Sequence, residues 1–309
     1  KIPPAVAKAA MESGVATQPI ENWKSYEESL EALLGSGQKL IRLMQDRAKA
    51  KPKKIVYAEA DCLDVLKAAQ IVQEEKMGTP VLLGNKTMIE SLKNKLDYGA
   101  KVEIIDPKDD FYQPSREKYA KLFWKAQQRK GYTLYDAKRL MSERNYFAAM
   151  MVHNGDADAM ISGYSRNYPS VVKPILDIIS RAKGVSRVAA TNLMLTKRGP
   201  IFLSDTTINV EPSAKELATI AKMTAKTVAM FGIKPVIGML SFSNFGSTRF
   251  PQAKKVSQAV KLLHRTNPEL TVDGPIQSDF AFNKKLLEER FPFSSLSNKN
   301  VNTLIFPNL

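Results

Sequence analysis

The chain has 309 residues, is 44% hydrophobic and 25% charged, and carries a formal charge of +15, a balance that suits a folded protein of one to three domains with a sizeable core. One cysteine, Cys62, excludes a disulfide framework and a cysteine-based metal site within one chain, and two distant histidines, His153 and His264, argue against a histidine-rich one. The basic residues are spread out, with no block of five or six like charges and no aromatic interleaving, so the charge favours an anionic ligand while arguing against a nucleic-acid platform.

Each histidine is expected to be a surface or satisfied helix residue. The single cysteine fits a reducing, cytoplasmic location. No apolar run approaches the roughly 18 residues that span a bilayer. The opening Lys1-Ile2-Pro3-Pro4 has no initiator methionine and no signal-type apolar region. No membrane or nucleic-acid partner is therefore expected.

The first element is an alanine-rich short helix, ended by Gly14 and followed by Pro19. Lys54 to Ala58 is a short apolar run of strand length, and a helix follows on the spacing of Val65, Ala68, Ala69 and Val72. Further strands are expected at 80–84, 102–106, 159–163, 186–190, 201–205, 236–240 and 302–306. Most are near-continuous apolar runs, which implies burial on both faces. Together with the long helical stretches between them they predict an α/β fold with mostly parallel sheets.

Ligands of such sheets lie beyond the carboxyl ends of the strands. Three of these ends are rich in small polar residues: Ser162 to Arg166, Ser204 to Thr207 and Ser241 to Ser247. Amides and hydroxyls there can hold phosphate or carbonyl oxygens, or they can simply make turns and helix caps.

Four stretches at these loops carry a resemblance. Gly155 to Gly163 (GDADAMISG), Met239 to Ser247 (MLSFSNFGS), Val272 to Gln277 (VDGPIQ) and Thr303 to Leu309 (TLIFPNL) occur in the order found in the phosphate acetyl/butyryltransferase family, which the chain resembles over roughly residues 40 to 309. Ile2 to Ala16 instead resembles the tail of the catalytic domain of long bacterial malic enzymes, which joins a phosphotransacetylase-like domain.

The resemblance implies a two-subdomain, three-layer sandwich similar to the isocitrate/isopropylmalate dehydrogenase architecture, dimeric through its second subdomain. The expected organisation is 1–39 as malic-enzyme tail and linker, 40–184 as subdomain 1 and 185–309 as subdomain 2. A closing C-terminal segment, which in the family supplies a Ser-Arg pair and a carboxylate, is expected to lie beyond Leu309.

Acetyl transfer between CoA and phosphate needs a base, cationic forks for the phosphate and donors for the oxyanion. Active family members have arginine at the positions of Gln127 and Lys173. Gln127 is neutral, and Lys173 keeps a charge without the bidentate fork. No counterpart of the cysteine found in some members occurs between Leu193 and Gly199.

The expectation is accordingly a non-catalytic, regulatory domain of an NADP-dependent malic enzyme, with acetyl-CoA as effector. Its ligand contacts are expected at Ser162, Gly163, Arg166, Lys173, Ser243, Asn244, Gly246 and Ser247, with Arg249 a weaker candidate. NADP and a divalent metal belong to a malic-enzyme domain outside this chain, and a homodimer or larger homo-oligomer is expected. The alternative is an active phosphate acetyltransferase. A nucleic-acid or anionic-surface binder, suggested by the charge alone, is the third reading.

Overall fold

The computed structural model describes residues 2–23, 25–26 and 36–309. The chain divides into two compact units, one of residues 44–184 and one of residues 185–309 with described residues of the first 43. Helix α1 (Ile2–Glu12) ends as its composition predicts. Gly14 takes φ +73°, and the amides of Val15 and Gly14 return to the carbonyls of Ala10 and Met11, which satisfies two otherwise orphaned acceptors. A second helix, α2 (Ser36–Ala50), precedes the first strand.

The unit of residues 44–184 holds a parallel sheet, β3-β2-β1-β4, from β1 (Lys53–Tyr57), β2 (Gly78–Leu83), β3 (Glu103–Ile105) and β4 (Ala159–Ile161). Successive side chains of one strand enter different cores. Val56, Val81, Leu83 and Ile105 pack with helices α5 (Gln113–Gln127), α6 (Leu134–Leu140) and α7 (Arg144–Asn154). Tyr57 and Leu82 pack on the other face with α3 (Leu63–Glu74) and α4 (Lys86–Lys95). A strand buried on both faces has no polar side to show, which is why its sequence reads as a continuous apolar run. Helix α8 (Tyr168–Ile178) completes this unit, with Asn167 capping its first turn through the Ser170 amide.

The second unit has the order β5-β6-β9-β7-β8, from β5 (Thr191–Thr196), β6 (Gly199–Ser204), β7 (Val236–Leu240), β8 (Thr271–Ile276) and β9 (Thr303–Ile305). All pairs are parallel except the β5–β6 hairpin. Ile237, Met239, Val272 and Ile305 face helices α9 (Ala214–Met230) and α10 (Pro251–Thr266). Leu240, Ile276 and Leu304 face α11 (Ser278–Phe282) and α12 (Lys284–Arg290).

Both units are thus mixed α/β with mostly parallel sheets, as expected from the strand pattern. The strand expected at 186–190 is absent, and pairing begins at Thr191. Side chains satisfy that segment instead. Asn209 Nδ2 donates to the Val188 carbonyl, Ser204 Oγ donates to the Ala190 carbonyl, and the Ala190 amide donates to Asp205. With its polar groups so met, the backbone needs no ladder. Strand β8 and the hairpin partner β5 were not among the expected strands.

Gly274 is demanded by close approach. Its φ is +144°, and a Cβ there would lie 2.4 Å from the Met239 carbonyl oxygen. His264 is satisfied at 2.7 Å by the Val272 carbonyl, and His153 is exposed on α7. Among the described residues, no group of histidine, cysteine and carboxylate side chains could hold a metal ion, and no helix is long and apolar enough to cross a membrane.

Candidate functional site

The first candidate loop leaves the carboxyl end of β4 and is organised by a residue at the neighbouring strand end. Glu59, two residues past β1 and only 2% exposed, receives the amides of Gly163 at 2.5 Å, Tyr164 at 3.2 Å and Ser165 at 2.7 Å. The Ser165 hydroxyl also donates to it, and Ser162 Oγ lies 3.0 Å from Glu59 and 2.7 Å from Asn145 Oδ1. Burial opposes the charge on Glu59, yet these donors outweigh it and hold the carboxyl at about 2. The loop's donors therefore close on an internal anion. Ser162 and Gly163 fix the loop's shape, and Arg166 at its end is exposed with no carboxylate partner among the described residues.

Lys173 lies on α8 and is engaged within its own unit. Its ammonium is 2.8 Å from the Tyr132 hydroxyl, 3.2 Å from Asp177 Oδ2 and 3.4 Å from the Tyr146 hydroxyl, and 5.5 Å from the centre of the Tyr132 ring. The Tyr132 contact, followed by Asp177 and Tyr146, raises its pKa against the opposing effect of burial. Gln127, 8% exposed, donates to the backbone carbonyl of Asp177, and its own side-chain oxygen finds no partner among the described residues. The two positions where the family resemblance expects arginine thus meet at one residue. At Asp177, Lys173 meets the carboxylate and Gln127 the main chain.

The second unit contributes the loop after β7. Asn244 and Gln277 form a reciprocal pair. Asn244 Nδ2 donates to Gln277 Oε1 at 2.6 Å, and the Gln277 amide donates to Asn244 Oδ1 at 2.8 Å. This joins two of the stretches that carry the resemblance. Phe245 and Gly246 then turn with positive φ, and the Ser247 amide returns to the Asn244 carbonyl at 2.9 Å. Ser243 is 5% exposed, and its hydroxyl has no partner among the described residues. The hydroxyl of Thr206, just past β6, is in the same position. A buried hydroxyl without a partner is uncommon in folded proteins and marks a place to look for a ligand or water. Ser247 and Arg249 are exposed.

The loop after β6 repeats the pattern seen at Glu59. Asp205, 3% exposed, accepts the amides of Ala190, Thr207, Ile208 and Asn209 at 2.9–3.3 Å and also the Asn209 side chain. Burial opposes its charge, and these hydrogen bonds lower its pKa overall. Neither Glu59 nor Asp205 was singled out as a site residue. The available signal was an acidic residue directly after an apolar strand run. Four of the expected contacts, Ser162, Gly163, Arg166 and Lys173, belong to one unit, and Ser243, Asn244, Gly246 and Ser247 to the other.

Comparison with known proteins identifies the family. Residues 39–309 match the family model described as phosphate acetyl/butaryl transferase. The chain is 37% identical to the NADP-dependent malic enzyme of Haemophilus influenzae over 314 aligned residues, covering 100% of this chain and 41% of that protein, in its C-terminal part. It is 33% identical to the phosphate acetyltransferase of Helicobacter pylori over 269 residues, covering 87% of this chain and 51% of the relative. Among solved structures, a phosphotransacetylase from Streptococcus pyogenes matches with a TM-score of 0.78 and 33% identity, over 88% of this chain and 82% of that one. The chain thus spans less than half the length of the malic enzymes it matches.

Proposed function

Because the chain belongs to the phosphate acetyl/butaryl transferase family, we propose that it binds acetyl-CoA as a non-catalytic regulatory domain of an NADP-dependent malic enzyme. The observation that carries this reading is the cluster at Asp177. Phosphate transfer needs free, forked cations aimed at the substrate. Lys173 is held by Asp177, Tyr132 and Tyr146, while Gln127 is neutral and turned to a main-chain carbonyl. Binding makes a smaller demand, since a free cation such as Arg166 beside loop donors suffices to hold the phosphates of an acyl-CoA. Arg166, Lys173 and the loop from Ser243 through Asn244, Gly246 and Ser247 are the proposed contacts, with Ser162 and Gly163 as the frame that presents Arg166.

The malic-enzyme matches include the first 38 residues, whereas the phosphate acetyltransferase match covers 87% of the chain. That difference supports placing the domain in a malic enzyme, a cytoplasmic oxidoreductase converting malate to pyruvate with NADP and a divalent metal held elsewhere. We extend the proposal to an isocitrate/isopropylmalate dehydrogenase-like pair of subdomains, organised as 40–184 and 185–309 after a 1–39 tail, and to a homodimer or larger assembly. Acetyl-CoA regulates by binding two arrangements of that assembly with different affinity.

Calorimetric titration with acetyl-CoA at near-physiological salt tests the binding, with saturable heat expected. Absence of heat and of any thermal shift at millimolar ligand defeats it. A coupled assay for acetyl-CoA formation from acetyl phosphate separates binder from enzyme, and robust turnover lost in Lys173→Ala would establish the acetyltransferase reading instead.

A further inference from the structure

The unit of residues 185–309 carries a ligand-sized hollow at the end of its sheet opposite its own loops after β6 and β7. It is a cavity of about 650 Å³ beside the amino-terminal ends of β6, β7 and β9. Its apolar wall includes Ile201, Ile233 and Val301, and Arg198, Lys284 and Lys299 line it as well. No carboxylate does so. None of the three cations forms an ion pair with a carboxylate among the described residues.

Local hydrogen bonds fix the backbone that carries two of these cations. Arg198 sits in the two-residue turn of the β5–β6 hairpin. There Thr196 Oγ1 accepts the Arg198 amide at 3.1 Å and donates to the Gly199 carbonyl at 2.8 Å. Its guanidinium makes one long contact, 3.4 Å to the Phe282 carbonyl, which leaves the remaining donors free. Lys299 follows Asn298, whose φ is +62°, and its amide returns to the Leu296 carbonyl at 3.0 Å. A smaller hollow of about 490 Å³ shares Arg198 and Lys284 and adds Lys285, with Asp279 its one acid.

Like charges gathered round a hollow without counter-ions repel one another, and an anion bound among them relieves that repulsion. An arginine fork flanked by lysines suits phosphate oxygens. The apolar wall suits an organic group, and the volume is in the range of small-molecule sites. We propose that this hollow binds an organic phosphate of nucleotide size, its phosphates on Arg198, Lys284 and Lys299 and its organic part against Ile201, Ile233 and Val301. The site is separate from the acyl-CoA contacts and does not depend on them.

Calorimetric titration of the whole chain with ADP, in buffer free of divalent metal, tests this. Saturable binding is expected. It weakens at least tenfold in the Arg198→Ala, Lys299→Ala double variant. Inorganic pyrophosphate should bind at least tenfold more weakly than ADP, because it cannot use the apolar wall. Both substituted side chains are exposed, so an unchanged melting temperature is expected. Should the double variant melt early, Lys284→Glu carries the same expected loss. No saturable heat, equal affinity in the double variant, or pyrophosphate binding as tightly as ADP would each overturn the proposal. Acetyl-CoA titrated into the double variant keeps its affinity, so the two readings fail independently.

Discussion

Asp177 lies one helical turn beyond Lys173 and takes its ammonium at 3.2 Å, on the same carboxylate oxygen that accepts the hydroxyls of Tyr146 at 2.9 Å and Tyr132 at 3.2 Å. Burial, then the bond to Asp177, pushes the Tyr146 phenol up, so it stays a donor at any ordinary pH. The cluster is asymmetric. Asp177 serves three donors, whereas the Lys173 side chain is 61% exposed.

That asymmetry predicts unequal losses of stability. Asp177→Asn removes the charge that three groups address and costs about 2–4 kcal/mol. Lys173→Ala costs about 1 kcal/mol or less, because exposed ion pairs are weak. The lysine pKa is raised in the fold, so its contribution is fully present below the ordinary value and fades only as pH climbs through the raised one. Urea denaturation should therefore show a constant wild-type-to-Lys173→Ala gap between about pH 6 and 9.

Glu59→Gln is expected to destabilise the unit of residues 44–184 by about 2–3 kcal/mol at neutral pH, since a pKa near 2 lies well below the ordinary carboxylate value. A lowered pKa stabilises above the unfolded value, and that stabilisation is lost as pH falls toward 2. The difference between variant and wild type in chemical denaturation should shrink steadily below about pH 4.5. A gap that does not narrow there contradicts the account.

Gly274→Ala and Gly246→Ala make a matched test of two positive-φ glycines. The first puts a Cβ 2.4 Å from a backbone oxygen, and the second meets nothing within 4 Å. Gly246→Ala is expected to cost about 1 kcal/mol, from conformation alone. Gly274→Ala should cost about 4 kcal/mol or more, because backbone must move. Melting temperatures of the two variants give the comparison directly.

Acetyl-CoA affinity should depend on Arg166 more than on Lys173. Arg166 has no carboxylate partner among the described residues, whereas Asp177 neutralises much of the Lys173 charge. Arg166→Ala is expected to raise the Kd about tenfold with an unchanged melting temperature. Lys173→Ala should raise it about threefold or less. Titration calorimetry on the two variants decides the order.

Much of this molecule was legible in the order of its residues. Continuous apolar runs such as Pro80 to Leu83 announced strands buried on both faces, because no polar side chain interrupts them. Gly14 announced the end of α1, because a left-handed residue there closes the helix. The four stretches from Gly155 to Leu309 were enough to point to the family. Such signals are local, or they survive as short strings, so they do not depend on knowing what lies alongside.

Other features were decided by tertiary structure. The stretch 186–190 is apolar enough for a strand, yet the side chains of Ser204, Asp205 and Asn209 take its polar groups and leave it irregular. The donors of Ser162 to Ser165 looked available to a ligand until β1 and β4 paired and brought Glu59 beside them from about a hundred residues away. Gln127 and Lys173 read as two separate departures from arginine, and only the reach of Gln127 from the end of α5 to the Asp177 carbonyl makes them neighbours of one residue. Composition and period report which face of an element is apolar. Which donor meets which acceptor depends on chain segments far apart in sequence, and that pairing exists only once the sheet has formed.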